Sequence, residues 1–243
     1  MTDINTLMYT EGIEDMLEVL ERRSKESASE YVRRVLEYNI VHMRLLPGEQ
    51  LQEKALAEAL NVSRTPIREA ILELKRRNII DIYPQHGTFV SYLDNGYSDD
   101  IRYLRYVFEA ELMAKACEIR DREVIDRMYE NVQLQKLYIW RDRDRFLTLD
   151  DEFHGAIYSM CGRDFIYQVV RESSLHFDRM RLISYDLDTA RELIDEHAAM
   201  IEVIETADAQ RARALCQRHL TRALSDYDRI KRMYPQYFKQ EKG

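Results

Sequence analysis

The stretch Val62-Ser63-Arg64-Thr65-Pro66-Ile67-Arg68-Glu69-Ala70 decides how the chain is read. Ser63 and Thr65 are residue types that cap helix N-termini, and Pro66 is tolerated only in a helix's first turn. From there Ile67, Ala70, Ile71 and Leu74 recur at i, i+3, i+4, i+7, so one face is buried. The other face carries Arg64, Arg68, Lys75 and Arg76. Arg64 and Arg68 stand one turn apart and lean the same way from the helix start. A helix entering DNA by its N-terminus offers base-edge donors there, and offers backbone N–H groups to phosphates beside Ser63. Just ahead, residues 53–60 read as a short helix and Asn61-Val62 as a tight turn, which is helix-turn-helix spacing.

Working outward, Ile79-Ile80-Asp81-Ile82-Tyr83, then Pro84-Gln85-His86-Gly87, then Thr88-Phe89-Val90-Ser91-Tyr92 reads as strand, turn, strand. A hairpin in that place makes a winged helix-turn-helix, with Gln85-His86-Gly87 at the wing tip. His86 is then either a solvated turn residue or a contact to the DNA backbone or minor groove. Upstream, Ser27-Ala28-Ser29-Glu30 is a capping-box pattern that opens a helix with Val32, Val35, Leu36 and Ile40 inward. Leu46-Pro47-Gly48-Glu49 ends it. Residues 12–23 have the spacing of a short helix in an N-terminal extension, residues 1–27.

Asp94-Asn95-Gly96 is the best domain boundary. Beyond it the apolar spacing predicts six helices, near 99–118, 121–141, 144–161, 164–185, 189–206 and 208–233, with Asp121, Asp188 and Asp208 near three starts. The fold class expected is mainly α: a winged helix-turn-helix over 28–94 and an all-α antiparallel bundle over 95–235.

Four polar residues fall inside the bundle's apolar stripes. Asp150 and His154 lie among Phe146, Leu149, Phe153 and Ile157; His197 lies among Ile194, Ala198 and Ile201; His219 lies among Leu215, Cys216 and Leu220. Each could be a core residue with its own hydrogen bond. Together they point to a shared cation, because a buried carboxylate costs several kcal/mol unless paired or metal-bound. Three nitrogens and one oxygen suit Zn²⁺, Ni²⁺, Mn²⁺, Co²⁺ or Fe²⁺, zinc foremost. Arg105 lies on an apolar face four residues before Glu109; it is either an internal ion pair or a guanidinium that clamps an anionic effector. His42 and His176 sit at the edges of their stripes and read as structural.

The formal charge of −8 excludes a general polyanion binder, yet residues 64–77 hold five basic side chains against two acidic, so DNA binding has to come from a small basic face. Cys117, Cys161 and Cys216 show no metal or redox spacing and fit reduced thiols. No secretory signal and no membrane-length apolar run is visible, so a cytoplasmic protein without membrane partners is expected.

Leu46-Pro47-Gly48-Glu49-Gln50-Leu51, Leu56-Ala57, residues 62–70, and Gly87 before Val90 make the N-terminal block resemble the GntR family of bacterial transcription regulators. Arg105 with Glu109, Asp150 with Phe153-His154, Glu196-His197 and Arg218-His219-Leu220 make the remainder similar to the metal-binding FCD effector domain of that family's fatty-acid-regulator-like (FadR-like) branch. The resemblance implies operator contacts from Lys54, Arg64, Thr65 and Arg68, with Gly87 letting the wing approach. It implies metal ligation by Asp150, His154, His197 and His219. The chain departs from the family pattern at Gly162-Arg163-Asp164, at a helix start, and at Lys54, whose point charge suits phosphate better than base reading. The expected protein is a homodimeric repressor, not an enzyme, that binds a pseudo-palindromic operator and responds to a small organic or sugar acid held by the metal and Arg105. Two alternatives stand beside it: a metal sensor without organic effector, and a metal-dependent enzyme fused to a DNA-binding head.

Overall fold

The computed structural model describes residues 17–184, 187–225 and 227–239. The chain divides into two compact units. One runs up to Asp94 and takes in the segment from Tyr234 on; the other is Asn95–Met233.

In the first unit, helix α1 (Ala28–Val41) begins at the Ser27 capping box, where Ser27 Oγ accepts from the Glu30 N–H and the Glu30 carboxylate accepts from the Ser27 N–H. Its stripe of Val32, Val35, Leu36 and Ile40 is fully buried. Helix α2 (Glu53–Ala59) and helix α3 (Arg64–Arg76) follow. Asn61 turns the chain between them in the left-handed region, φ +50°. Both α1 and α2 pack on α3, which buries Ile67, Ala70, Ile71 and Leu74. Strands β1 (Ile80–Tyr83) and β2 (Gly87–Val90) pair antiparallel, Ile80 opposite Val90 and Tyr83 opposite Gly87. Gly87 has φ +122°, a conformation that side-chain-bearing residues rarely adopt, so the turn residue is chosen by its backbone. This is a winged helix-turn-helix.

Two expectations change here. Of the helix expected over 12–23, residues 12–16 lie outside the described residues, and 17–23 are not helical. The reason is Asn39, fully buried on α1: its Oδ1 accepts from the Glu18 N–H and its Nδ2 donates to the Glu18 C=O, 2.8 and 2.9 Å. Both backbone groups of Glu18 are thereby turned outward to a side chain rather than along a helix. The bundle expected over 95–235 ends at Met233, and Tyr234 and Pro235 fall with the first unit, where the Leu93 N–H donates to the Tyr237 carbonyl and Leu93 bridges Phe238 in parallel.

The second unit is all helix among the described residues: α4 (Asn95–Ile119), α5 (Arg122–Tyr138), α6 (Arg143–Met160), α7 (Asp164–Ser173), α8 (Leu175–Ser184), α9 (Leu187–Glu205), α10 (Ala209–Ser225) and α11 (Tyr227–Met233). Asp121 and Asp208 accept first-turn N–H groups of α5 and α10, whereas Asp188 falls inside α9. The helix expected over 164–185 is interrupted at Ser174. Ser173 and Ser174 hydroxyls donate to the carbonyls of Val169 and Val170, an alternative to the helix ladder that ends α7 there. Helix α4 lies along α10 and also meets α6, α8 and α9, so the polar residues of these helices face a common interior. No helix of the described residues is long and apolar enough to cross a membrane.

Candidate metal centre and nucleic-acid interface

Asp150 and His154 are four apart on α6 and share its buried face; His197 comes from α9 and His219 from α10. All four are at most 5% exposed. One donor atom from each lies within 4.8 Å of the others. His154 Nε2 is 3.2 Å from His219 Nε2, and His197 Nε2 is 3.5 Å from Asp150 Oδ1. The four residues singled out in the sequence therefore meet.

What surrounds them sets their chemistry. His197 Nδ1 stands 2.9 Å from Gln135 Oε1, and His219 Nδ1 stands 2.9 Å from Glu196 Oε2. His154 Nδ1 is 2.7 Å from Glu109 Oε2. Phe153 stacks on the His197 ring at 4.1 Å. An imidazole whose Nδ1–H faces an oxygen keeps its lone pair on Nε2, the arrangement of metal-ligating histidines. With the protons on Nδ1, the 3.2 Å approach of the His154 and His219 Nε2 atoms sets lone pair against lone pair; His197 Nε2 and, despite its 2.7 Å approach to Glu109, His154 Nδ1 are buried without a well-directed hydrogen bond. A shared cation relieves the opposed lone pairs and engages His197 Nε2, so the residues fit a divalent metal.

Protonation states agree. Burial, reinforced by neighbouring imidazoles, pushes the His197 pKa well down, and burial lowers that of His219 against the pull of Glu196. Both rings are thereby kept neutral, the ligating form. Burial alone would raise the Asp150 pKa, but the Arg181 guanidinium beside it leads the opposing interactions, which hold the carboxylate ionised. Glu109 behaves likewise under Arg105 and His154.

Arg105 donates from Nε to Glu109 Oε1 at 2.8 Å, so the internal ion pair exists, and it leads through Glu109 to His154. Sequence reasoning missed Arg181, whose Nη2 donates to Asp150 Oδ2 at 2.6 Å. Arg105 and Arg181 both lie over the Phe177 ring, at 5.3 and 5.8 Å. Arg181 also bonds Asp151 and Asp178, and Arg171 joins the same two carboxylates. Helix α8 is buried on most sides, so it has no polar face against which Arg181 would stand out in sequence. Gln135 could have been found: it continues the α5 stripe of Met128 and Val132. Glu196, next to His197, was marked by the resemblance alone, and its contact with His219 was not foreseen. His42 stacks on Tyr38 and His176 is buried against Tyr97, and neither belongs to the four-residue cluster.

In the first unit, Ser63, Arg64, Thr65 and Arg68 are exposed at the start of α3, with Lys54 exposed on α2 and His86 at the wing tip beside Gly87. Ser63 occupies the N-cap position with an extended backbone, but its side chain makes no capping bond, so its hydroxyl is not committed to the helix. Arg68 Nε donates to Glu53 Oε2 at 2.8 Å. Lys54 is 3.8 Å from Glu58.

A model of bacterial regulatory proteins of the gntR family matches residues 28–90, and a model of the FCD domain matches residues 100–222. The chain belongs to the GntR family. Its relatives include the HTH-type transcriptional repressor RspR of Escherichia coli, 24% identical over 89% of this chain and 96% of the relative. A regulator from an unstable DNA locus of Streptomyces ambofaciens is 27% identical over 82% of this chain and 84% of that one. Among solved structures, E. coli McbR/YncC aligns at TM-score 0.66 and 22% identity over 87% of this chain and 99% of that one. A GntR regulator from Rhodococcus aligns at TM-score 0.67 and 21% identity over 82% and 96%. This GntR-family member is thus a DNA-binding transcription regulator, and its relatives are regulators rather than enzymes.

Proposed function

We propose that this regulator is a cytoplasmic homodimer that represses transcription from a pseudo-palindromic operator and is released by a small organic or sugar acid acting at a divalent metal, zinc foremost. Asp150, His154, His197 and His219 hold the metal. The observation that carries this reading is the convergence of three Nε2 atoms whose Nδ1 partners face oxygens. Bound there, the metal supplies positive charge and open coordination positions for a carboxylate or hydroxyl. Arg105 and Arg181 both lie near the Phe177 ring, which brings two guanidiniums, the chemistry that recognises carboxylates, into one neighbourhood. In the head, Arg64 and Arg68 reach base edges, while Lys54, Ser63 and Thr65 hold phosphates; the wing with His86 and Gly87 meets the backbone or minor groove. An effector can change operator affinity only by binding DNA-competent and incompetent arrangements unequally.

The metal-sensor reading keeps one supporting observation: Arg105 and Arg181 are already bonded to Glu109 and Asp150, so an acid has to compete for them. Operator affinity measured with chelator, with Zn²⁺, and with Zn²⁺ plus a panel of hydroxy and sugar acids separates the two. A change with Zn²⁺ alone and none with any acid favours the sensor. Response to an acid that disappears in Arg105→Ala, with DNA binding intact, supports the effector reading. Protein that takes up no divalent metal overturns both.

A further inference from the structure

The second unit ends at Met233, and the next six described residues fold into the first. Residues Pro235–Tyr237 form one 3₁₀ turn, Tyr234 and Tyr237 stack at 5.4 Å, and the Leu93 N–H donates to the Tyr237 carbonyl at 2.8 Å. Phe238 pairs in parallel with Leu93; the two side chains are 3% and 2% exposed. Leu93 is one residue before the boundary at Asp94/Asn95. The two connections between the units, at 94/95 and 233/234, thus lead into one hydrogen-bonded pairing inside the first unit.

The other end of this segment leads to the candidate metal centre. Helix α11 packs on α8 and α10, buries Ile230, and donates from Arg229 Nη2 to the Ser184 carbonyl at the end of α8. Helix α8 carries Arg181, bonded to Asp150, and α10 carries His219. We propose that residues 234–239 are a regulatory strap that couples α8 and α11 to the DNA-binding head, so that rearrangement at Asp150–Arg181 alters operator affinity through Phe238 as well as through the 94/95 linker. This rests on the reading of that ion pair as part of the effector centre. An occupant drawing on Asp150 or Arg181 shifts α8, α8 draws α11 by the Arg229 contact, and α11 pulls directly on the docked segment.

The test is a double-mutant cycle on the full chain, read as affinity for its operator selected from random duplexes. Arg181→Ala is expected to shift affinity by about fivefold or more, and by less than about twofold when Phe238 is also Ala. A chain ending at Met233 is expected to repeat the Phe238→Ala result, and Phe238→Leu to retain most of the coupling. Equal shifts in both backgrounds overturn the strap, as does the absence of any shift from Arg181→Ala. Zn²⁺ calorimetry on the same proteins judges the metal reading separately: lack of uptake sinks that reading and leaves the cycle to decide the strap.

Discussion

Arg68 is held by Glu53 in the DNA-free head, at 2.8 Å on an exposed surface. An exposed pair of this kind is worth little, so it orients the guanidinium without preventing it from leaving for a base. Arg68→Ala is expected to weaken operator binding by about 1–3 kcal/mol, measured by fluorescence anisotropy; unchanged affinity removes Arg68 from the interface. In the bundle, His197→Ala takes away Nε2, a buried atom without a hydrogen bond. Metal stoichiometry should fall, and full stoichiometry by elemental analysis contradicts the ligand assignment. The pH behaviour of His197 follows from its environment. Burial and its imidazole neighbours depress the folded pKa below the ordinary 6.5, so below about pH 6.5 the unfolded chain takes up a proton that the folded ring refuses. Stability from this ring is whole above that pH and falls by up to about 1.4 kcal/mol per pH unit below it. Asp150 and Glu109 act at lower pH, because their depressed pKa values stabilise the fold until the pH drops through the carboxylate range. Asp151, raised by burial, has the opposite sign. Urea unfolding in chelator at pH 7.5 and 5.5, compared between wild type and His197→Gln, isolates the imidazole; equal slopes would falsify the buried neutral ring.

At the scale of elements, helix α1 shows how one polar residue places a segment. Asn39 satisfies the Glu18 backbone and donates to the Val35 carbonyl, all from a fully buried position. Arg34 adds bonds to the Glu21 carbonyl and the Glu26 carboxylate, and the latter's pKa is pulled down to about 2 chiefly by that guanidinium. Asn39→Ala should cost about 1–3 kcal/mol and expose residues 17–26 to protease; denaturant titration and timed proteolysis check both, and a variant as resistant as wild type shows that Arg34 suffices. The interruption at Ser174 works in the bundle in a comparable way. By ending α7, it lets α8 set out separately, with Asp178 and Arg181 meeting Asp150, Asp151 and Arg171.

For the whole molecule, the two units have separate cores, and the candidate ligands all belong to the second. Zn²⁺ at about a hundred times its dissociation constant should stabilise that unit by about 2.7 kcal/mol. Scanning calorimetry is expected to show the bundle's transition moving up while the head's stays in place; movement of neither, or loss of the shift in no ligand variant, counts against the centre. Charge is likewise divided. On the function proposed above, a head with a basic patch on a chain of net charge −8 is expected to bind DNA by few contacts, with specificity drawn from Arg64 and Arg68 rather than from bulk attraction.

The sequence by itself determined the winged head, because Ile67, Ala70, Ile71 and Leu74, the capping box at Ser27 and the turn at Gly87 are local features whose spacing fixes local structure. It also determined that Asp150, His154, His197 and His219 face inward, since a helix of known period assigns each residue a side. Only the tertiary structure decided what those four meet. Gln135, Glu109 and Arg181 come from three other stretches of chain, and Glu196, though next to His197, meets His219 on another helix; these appositions depend on how the helices pack. The return of Phe238 to Leu93 was equally illegible: no periodicity in residues 234–239 announces a partner 145 positions away. Periodicity reports which way a side chain points, whereas a contact between distant segments is set by the packing of whole helices, which no short window of residues contains.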